Sequence, residues 1–144
     1  MIGMILSGHG HFATGLTSSV ELIAGMPELY VPVDFEKTDS TEDLQKKLEA
    51  ALDKLKECDS ILILTDLLGG SPFKVAVELS VAHSEKPIRV LSGTNLGMII
   101  EGNLTRQFAD DIDTFADQLV QTGHSQTTKF VMSNHKEETS EDGI

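Results

Sequence analysis

Basic residues are scarce. Lysine and arginine number 11 against 23 aspartates and glutamates, a formal charge of -12 over 144 residues. A chain of that sign does not grip a nucleic-acid backbone, which is held by lysine and arginine facing phosphates. It does not suit an anionic membrane surface either, whereas a basic protein partner fits. Cysteine is nearly missing. The one thiol, Cys58, excludes an internal disulfide and fits a reducing compartment; it follows a charged helical stretch, without the turn glycines of a reactive site. No apolar run approaches the roughly 20 residues of a membrane span, and no basic start with an apolar core marks a signal peptide. Internal repeats are absent. Gly8-His9-Gly10 lacks the Gly-Lys-Ser/Thr ending of a Walker loop, and no two histidines have metal-ligand spacing on one helix face. Neither a metal nor another cofactor is expected. These absences leave a cytoplasmic protein of one domain, long enough to bury roughly 68–70% of its unfolded surface.

What is present is an alternation of strand-like and helix-like stretches up to about residue 92, the pattern of a parallel α/β sheet. Ile2-Gly3-Met4-Ile5-Leu6 reads as the first strand. Phe12, Leu16, Val20 and Ile23 then share one helix face that ends at Gly25. Leu29-Tyr30-Val31-Pro32-Val33 is the second strand, placed at an edge because Pro32 donates no ladder hydrogen bond. Asp39-Ser40-Thr41-Glu42 offers caps for a helix with Leu44, Leu48, Ala51, Leu52 and Leu55 on its buried stripe. Ser60 to Thr65 is a continuous apolar run, a strand covered on both faces. After Asp66-Leu67-Leu68-Gly69-Gly70, Ser71 reads as an N-cap and Pro72 as the first helical residue. Ile88-Arg89-Val90-Leu91 is the fourth strand. Gly93-Thr94-Asn95 turns into a helix through Met98, Ile99 and Ile100. A last helix carries Ile112, Phe115, Ala116, Leu119 and Val120 and is stopped by Gly123. Lys129-Phe130-Val131-Met132 reads as a short final strand. The polar, acidic stretch 133–144 reads as a disordered tail, so the domain covers residues 1–132.

Right-handed crossovers and an edge position for strand two give the order 2-1-3-4. The chain then reverses its winding between strands one and three, and ligands bind at such a switch point. Strand one delivers His9 there, in a glycine-flanked turn that lets a large partner approach. Alone, His9 is either a nucleophile or proton carrier or a plain turn histidine. Strand three delivers Asp66, and the pairing favours the functional reading of both. A carboxylate that takes the proton side of one ring nitrogen leaves a lone pair on the other. That is what a histidine attacking phosphorus requires. Gly69, Gly70 and Ser71 add backbone N–H groups and a hydroxyl at a helix start, a ready anion site, with Lys74 in the first turn. His11 is a rival to His9, but its position beyond Gly10 leans into the helix start. His83, His124 and His135, at helix ends or in the tail, read as solvated.

The residues carry a likeness. His9-Gly10 after an amino-terminal strand, then Asp66-Leu67-Leu68-Gly69-Gly70-Ser71-Pro72-Phe73 and Gly93-Thr94-Asn95-Leu96, resemble the mannose-family enzyme IIA of the bacterial phosphoenolpyruvate-dependent sugar phosphotransferase system. The likeness spans roughly residues 1–132. It implies a phosphoryl carrier in which His9 accepts phosphate from phospho-HPr and passes it to an enzyme IIB. Asp66 holds the ring so that the far nitrogen is phosphorylated. Ser71 and the amides of Gly10, Gly69 and Gly70 receive the phosphoryl oxygens. It further implies a homodimer, with residues 129–132 as the stretch open to exchange, and an indirect link to the membrane IIC and IID proteins. Leu67 departs from the hydroxyl residue that family members often carry there, which removes one phosphate contact. Many relatives run on into a IIB domain, so a separate IIB polypeptide is expected here. The alternatives are the related carrier of phosphoenolpyruvate-dependent dihydroxyacetone kinases, a non-catalytic HPr-sensing regulatory domain, and a histidine phosphatase. The last wants an arginine beside the nucleophile, which positions 7, 8, 10 and 11 do not offer.

Overall fold

The structure, a computed structural model, describes residues 1–132. Four strands, β1 (Ile2–His9), β2 (Tyr30–Phe35), β3 (Ser60–Thr65) and β4 (Ile88–Leu91), form one sheet in the order β2-β1-β3-β4. Every neighbouring pair is parallel. The helices are α1 (Phe12–Ala24), α2 (Thr41–Lys54), α3 (Ser71–Ala82), α4 (Leu96–Thr105) and α5 (Ile112–Gln126). The open α/β sheet and its order are those read from the sequence.

Strand alternation sorts the core into two layers, as the two-residue period of a strand requires. Ile2, Met4 and Leu6 of β1 and Leu62 and Leu64 of β3 face one cluster, which also holds Val20, Met98, Ile99, Phe115 and Leu119. Ile5, Ile61 and Ile63 face the other, with Leu44, Leu48, Val75, Ala76 and Leu79. All six residues of β3 are buried, because β3 is central and helices cover it on both sides. Burying each such leucine or isoleucine contributes about 1.5–3 kcal/mol.

The structure corrects several boundaries. The second strand runs on to Phe35, with Gly8 opposite Asp34 and His9 opposite Phe35. Asp34 looks like loop chemistry in the sequence, yet its backbone stays in the ladder. The N-cap of α3 is Gly70, not Ser71: Gly70 is extended, and its carbonyl accepts the Lys74 N–H at 2.9 Å. Ser71 and Pro72 are therefore the first two helical residues. Gly123 does not stop α5. It is buried inside the helix, where a Cβ would come within 2.6 Å of Met98 Sδ. Lys129 to Met132 form no strand, and Phe130, Val131 and Met132 are exposed. A β-favouring composition joins a ladder only where an edge is in reach. The proposed tail, 133–144, and His135 lie outside the described residues.

One buried residue gave no signal in the sequence. Arg106 opens a short 3₁₀ turn after α4 and is 7% exposed. Its guanidinium donates to the carbonyls of Ile2 at 3.2 Å and Leu29 at 2.9 Å, and to that of Glu28. This knots the amino ends of β1 and β2 together, at the end of the sheet opposite the site.

Candidate functional site

β1 is buried for seven residues and emerges at its eighth, His9. Gly8 lies under the Phe12 ring, which would come within 2.4 Å of a Cβ there. The chain then turns through Gly10 at φ +58°, a conformation glycine adopts without steric cost. The Gly10 N–H donates to the Phe35 carbonyl at 2.7 Å. α1 starts two residues later.

β3 ends at Thr65, whose hydroxyl donates to the Leu91 carbonyl at 2.7 Å. The next residue is Asp66, with its own carbonyl held by the Gly93 N–H at 2.7 Å. One carboxylate oxygen, Oδ2, meets His9 twice. It accepts the His9 backbone N–H at 2.8 Å and lies 2.7 Å from ring Nδ1. Residues 57 apart in sequence therefore share one mouth, as the strand order requires. Desolvation works to raise the Asp66 pKa, but the His9 amide, the His9 ring and the Leu67 N–H outweigh it and hold the carboxyl below its ordinary range. Asp66 is thus an acceptor at neutral pH, which in the neutral imidazole sets the proton on Nδ1 and the lone pair on Nε2. The other carboxylate oxygen, Oδ1, is buried without a hydrogen-bond partner among the described residues.

Three groups fix the ring. Asp66 holds Nδ1. Phe35 meets the ring edge-on, centroids 5.8 Å apart at 62°. Gly70 lies against Cε1, where a Cβ would stand 2.8 Å from that carbon and 3.5 Å from Nε2. The His9 side chain is still 47% exposed, so another protein's side chain can reach it.

The turn beside Nε2 keeps donors in hand. Gly69 sits at φ +82°. The first turn of α3 has no side-chain cap and no acidic residue. Among the described residues, the N–H groups of Gly69, Ser71 and Phe73 and the Ser71 hydroxyl donate to no acceptor. Of the four residues expected around the phosphate, two have their N–H groups engaged. The Gly10 N–H is taken by Phe35, and the Gly70 N–H donates to the Leu67 carbonyl at 3.0 Å. Gly10 serves the turn and Gly70 serves close approach to the ring. Lys74 is exposed in the same helical turn, and Leu67 is exposed beside it.

His11 is not part of this arrangement. Its Nε2 lies 3.3 Å from Glu36 Oε1. Sequence reading missed Phe35 and Asp34 altogether. The signal was available in the pairing register, since an edge strand beside β1 must end beside His9. Among the described residues, no group of three or more His, Cys, Asp or Glu side chains is placed to hold a metal ion. No described helix is long and apolar enough to cross a membrane.

Comparison with known proteins adds an independent line. Residues 3–120 match the family model EIIA-man, described as PTS system fructose IIA component. The PTS system fructose-specific EIIA component of Bacillus subtilis (strain 168) is 33% identical over 101 residues, 70% of this chain and 68% of that protein. The PTS system mannose-specific EIIAB component of Escherichia coli (strain K12) is 30% identical over 122 residues. That match takes in 85% of this chain, which spans only 37% of the Escherichia coli protein. Among solved structures, phosphotransferase system component EIIA from Streptococcus agalactiae superposes with a TM-score of 0.84 at 39% identity. It covers 90% of this chain and 98% of that one.

Proposed function

Because the chain belongs to the EIIA-man family of sugar phosphotransferase system IIA components, we propose that it is a phosphoryl carrier that takes phosphate from phospho-HPr on Nε2 of His9 and passes it to an enzyme IIB. The observation that carries this reading is the asymmetry of the ring. Nδ1 is held at 2.7 Å by an ionised carboxylate, and Nε2, beside a turn of unspent donors, has no partner among the described residues.

The lone pair on Nε2 attacks phosphorus. The bond from phosphorus to the donor's histidine nitrogen breaks, and its electron pair returns to that nitrogen. The ring becomes positively charged, and Asp66 stabilises it through the Nδ1 proton, which stays where it is. The N–H groups of Gly69, Ser71 and Phe73 and the Ser71 hydroxyl meet the phosphoryl oxygens, with the positive end of α3 behind them. Transfer to IIB is the same displacement in reverse, with the acceptor's side chain as nucleophile. Little covalent chemistry is asked of the fold, so positioning and charge stabilisation set the rate.

The setting follows from this reading. The protein works in the cytoplasm and meets the membrane IIC and IID proteins only through IIB. The relatives' names differ in sugar, mannose and fructose, which supports a sugar choice made by the other components. The protein acts as a homodimer. Exposed Phe130, Val131 and Met132, and an edge strand β4 paired on one side only among the described residues, support exchange of residues 129–132 between subunits.

The test is incubation with phosphoenolpyruvate, enzyme I and HPr, followed by mass spectrometry. One acid-labile phosphate on the peptide containing His9, discharged on adding IIB, is the expected result. Release of free phosphate faster than transfer to IIB, or discharge only to a dihydroxyacetone kinase subunit, contradicts it.

A further inference from the structure

Two helices begin at the mouth that holds His9. α3 leaves its first amides open. α1 has no cap of its own either: His11 stands at the N-cap without a side-chain hydrogen bond, and the first turn has no acidic residue. Yet α1 is capped from elsewhere. Asp34 Oδ1 accepts the Thr14 N–H at 3.0 Å, and Asp34 Oδ2 accepts the Thr14 hydroxyl at 2.7 Å. This is N-cap chemistry delivered by a residue 20 positions away, on the edge strand.

We propose that Asp34 is a positioning residue for His9: it caps α1 from β2 and so fixes the turn on which the imidazole is carried. The inference rests on the reading of His9 as the phosphoryl acceptor. The turn has little local support. A Cβ at Gly10 would meet nothing within 4 Å, so glycine stands there for its φ of +58° and not for close packing. Besides Asp66, which holds the His9 N–H, and the Phe12 ring over Gly8, the turn's restraints come from two consecutive residues of β2. Phe35 takes the Gly10 N–H on its carbonyl at 2.7 Å and sets its ring against His9. Asp34 takes Thr14. Asp34 is itself placed by pairing opposite Gly8, and its carbonyl accepts from Lys47 Nζ at 3.3 Å. The carboxylate also offsets the positive end of α1. An incoming phosphoryl group then finds one open helix start beside His9, that of α3.

Asp34→Ala removes both bonds. Asp34→Asn keeps an acceptor for the Thr14 N–H and reverses the second bond, its amide donating to the Thr14 hydroxyl. Thr14→Val removes only the hydroxyl bond and serves where the alanine variant folds poorly. Initial rates of labelling by phospho-HPr are measured on the full chain. Asp34→Ala lowers the maximal rate by about 10-fold or more, since a displacement near 1 Å costs up to about 10²-fold; the half-saturating phospho-HPr concentration stays unchanged. Asp34→Asn stays within about threefold of the parent, because asparagine caps as well as aspartate. Thr14→Val falls between the two. In the unphosphorylated protein, the ring nitrogens of His9 keep the parent's distinct ¹⁵N shifts in Asp34→Asn and move toward an averaged tautomer in Asp34→Ala. An unchanged maximal rate in Asp34→Ala overturns the proposal. So does an asparagine variant as slow as alanine, or a loss confined to half-saturation. Should the parent take no label at all, the phosphoryl-acceptor reading fails by itself, and the ring shifts alone decide whether Asp34 holds His9.

Discussion

The β1–α1 turn and the β3–α3 turn lie side by side at the carboxyl end of the sheet, both rich in glycine, and they spend their hydrogen bonds in opposite ways. In the first, Gly10 donates to Phe35 and Thr14 to Asp34, so the backbone is committed to neighbours. In the second, Gly69, Ser71 and Phe73 keep their N–H groups free among the described residues, and no side chain caps the helix. The first turn holds a nucleophile still. The second holds donors ready for an anion. Asp66 joins them: it belongs to the second turn by sequence and to the first by its contacts. A division of this kind lets one short segment be rigid while its neighbour stays available, which positioning catalysis requires.

The largest effect falls on the committed turn. His9→Ala removes the imidazole beside Asp66, and labelling by phospho-HPr is lost; His11→Ala labels like the parent. The reverse pattern breaks the comparison. Next comes the joint between the turns. Asp66→Asn leaves the fold intact and slows transfer by roughly 10²–10⁴, by analogy with a mis-set tautomer; an unchanged rate removes Asp66 from the mechanism. On the open turn, Gly70→Ala places a methyl 2.8 Å from His9 Cε1. The ring must shift, and transfer falls by about 10–10², while Gly69 and Ser71 keep their donors. If Gly70→Ala is as fast as the parent, close approach is not what glycine provides there.

The smallest effect is on stability. The folded pKa of Asp66 lies below its unfolded value, which is about 3.9. A depressed carboxyl contributes stability that is fully present above the unfolded value and lost as pH falls through the folded one. Urea unfolding of the parent and of Asp66→Asn therefore shows a gap that narrows below about pH 4. A gap that widens on acidification contradicts the sign.

Much of this was open to reading in the chain itself, for physical reasons. Pro32 put β2 at an edge, and the two-sided apolar run of β3 put it at the centre, which together fix the order and bring His9 to Asp66. What escaped was set by tertiary contacts. Asp34 and Phe35 look like a turn because aspartate disfavours strands, yet β1 pairs with them. Ser71 is the better local cap, but the helix starts one residue earlier, with Gly70 at the N-cap and no room for a Cβ beside the His9 ring. Gly123 looks like a helix stop and is instead the seat for Met98. Arg106 looks like surface charge and is a buried clamp on three carbonyls. Residues 129–132 have the composition of a strand but do not form one.

The ring's asymmetry is tested most directly by ¹⁵N-detected histidine spectra of the chain after phosphorylation by phospho-HPr. The account predicts phosphate on Nε2 of His9, with the Nδ1 proton still bonded to Asp66. Phosphate on Nδ1, or on His11, would show that the carboxylate does not choose the reacting nitrogen.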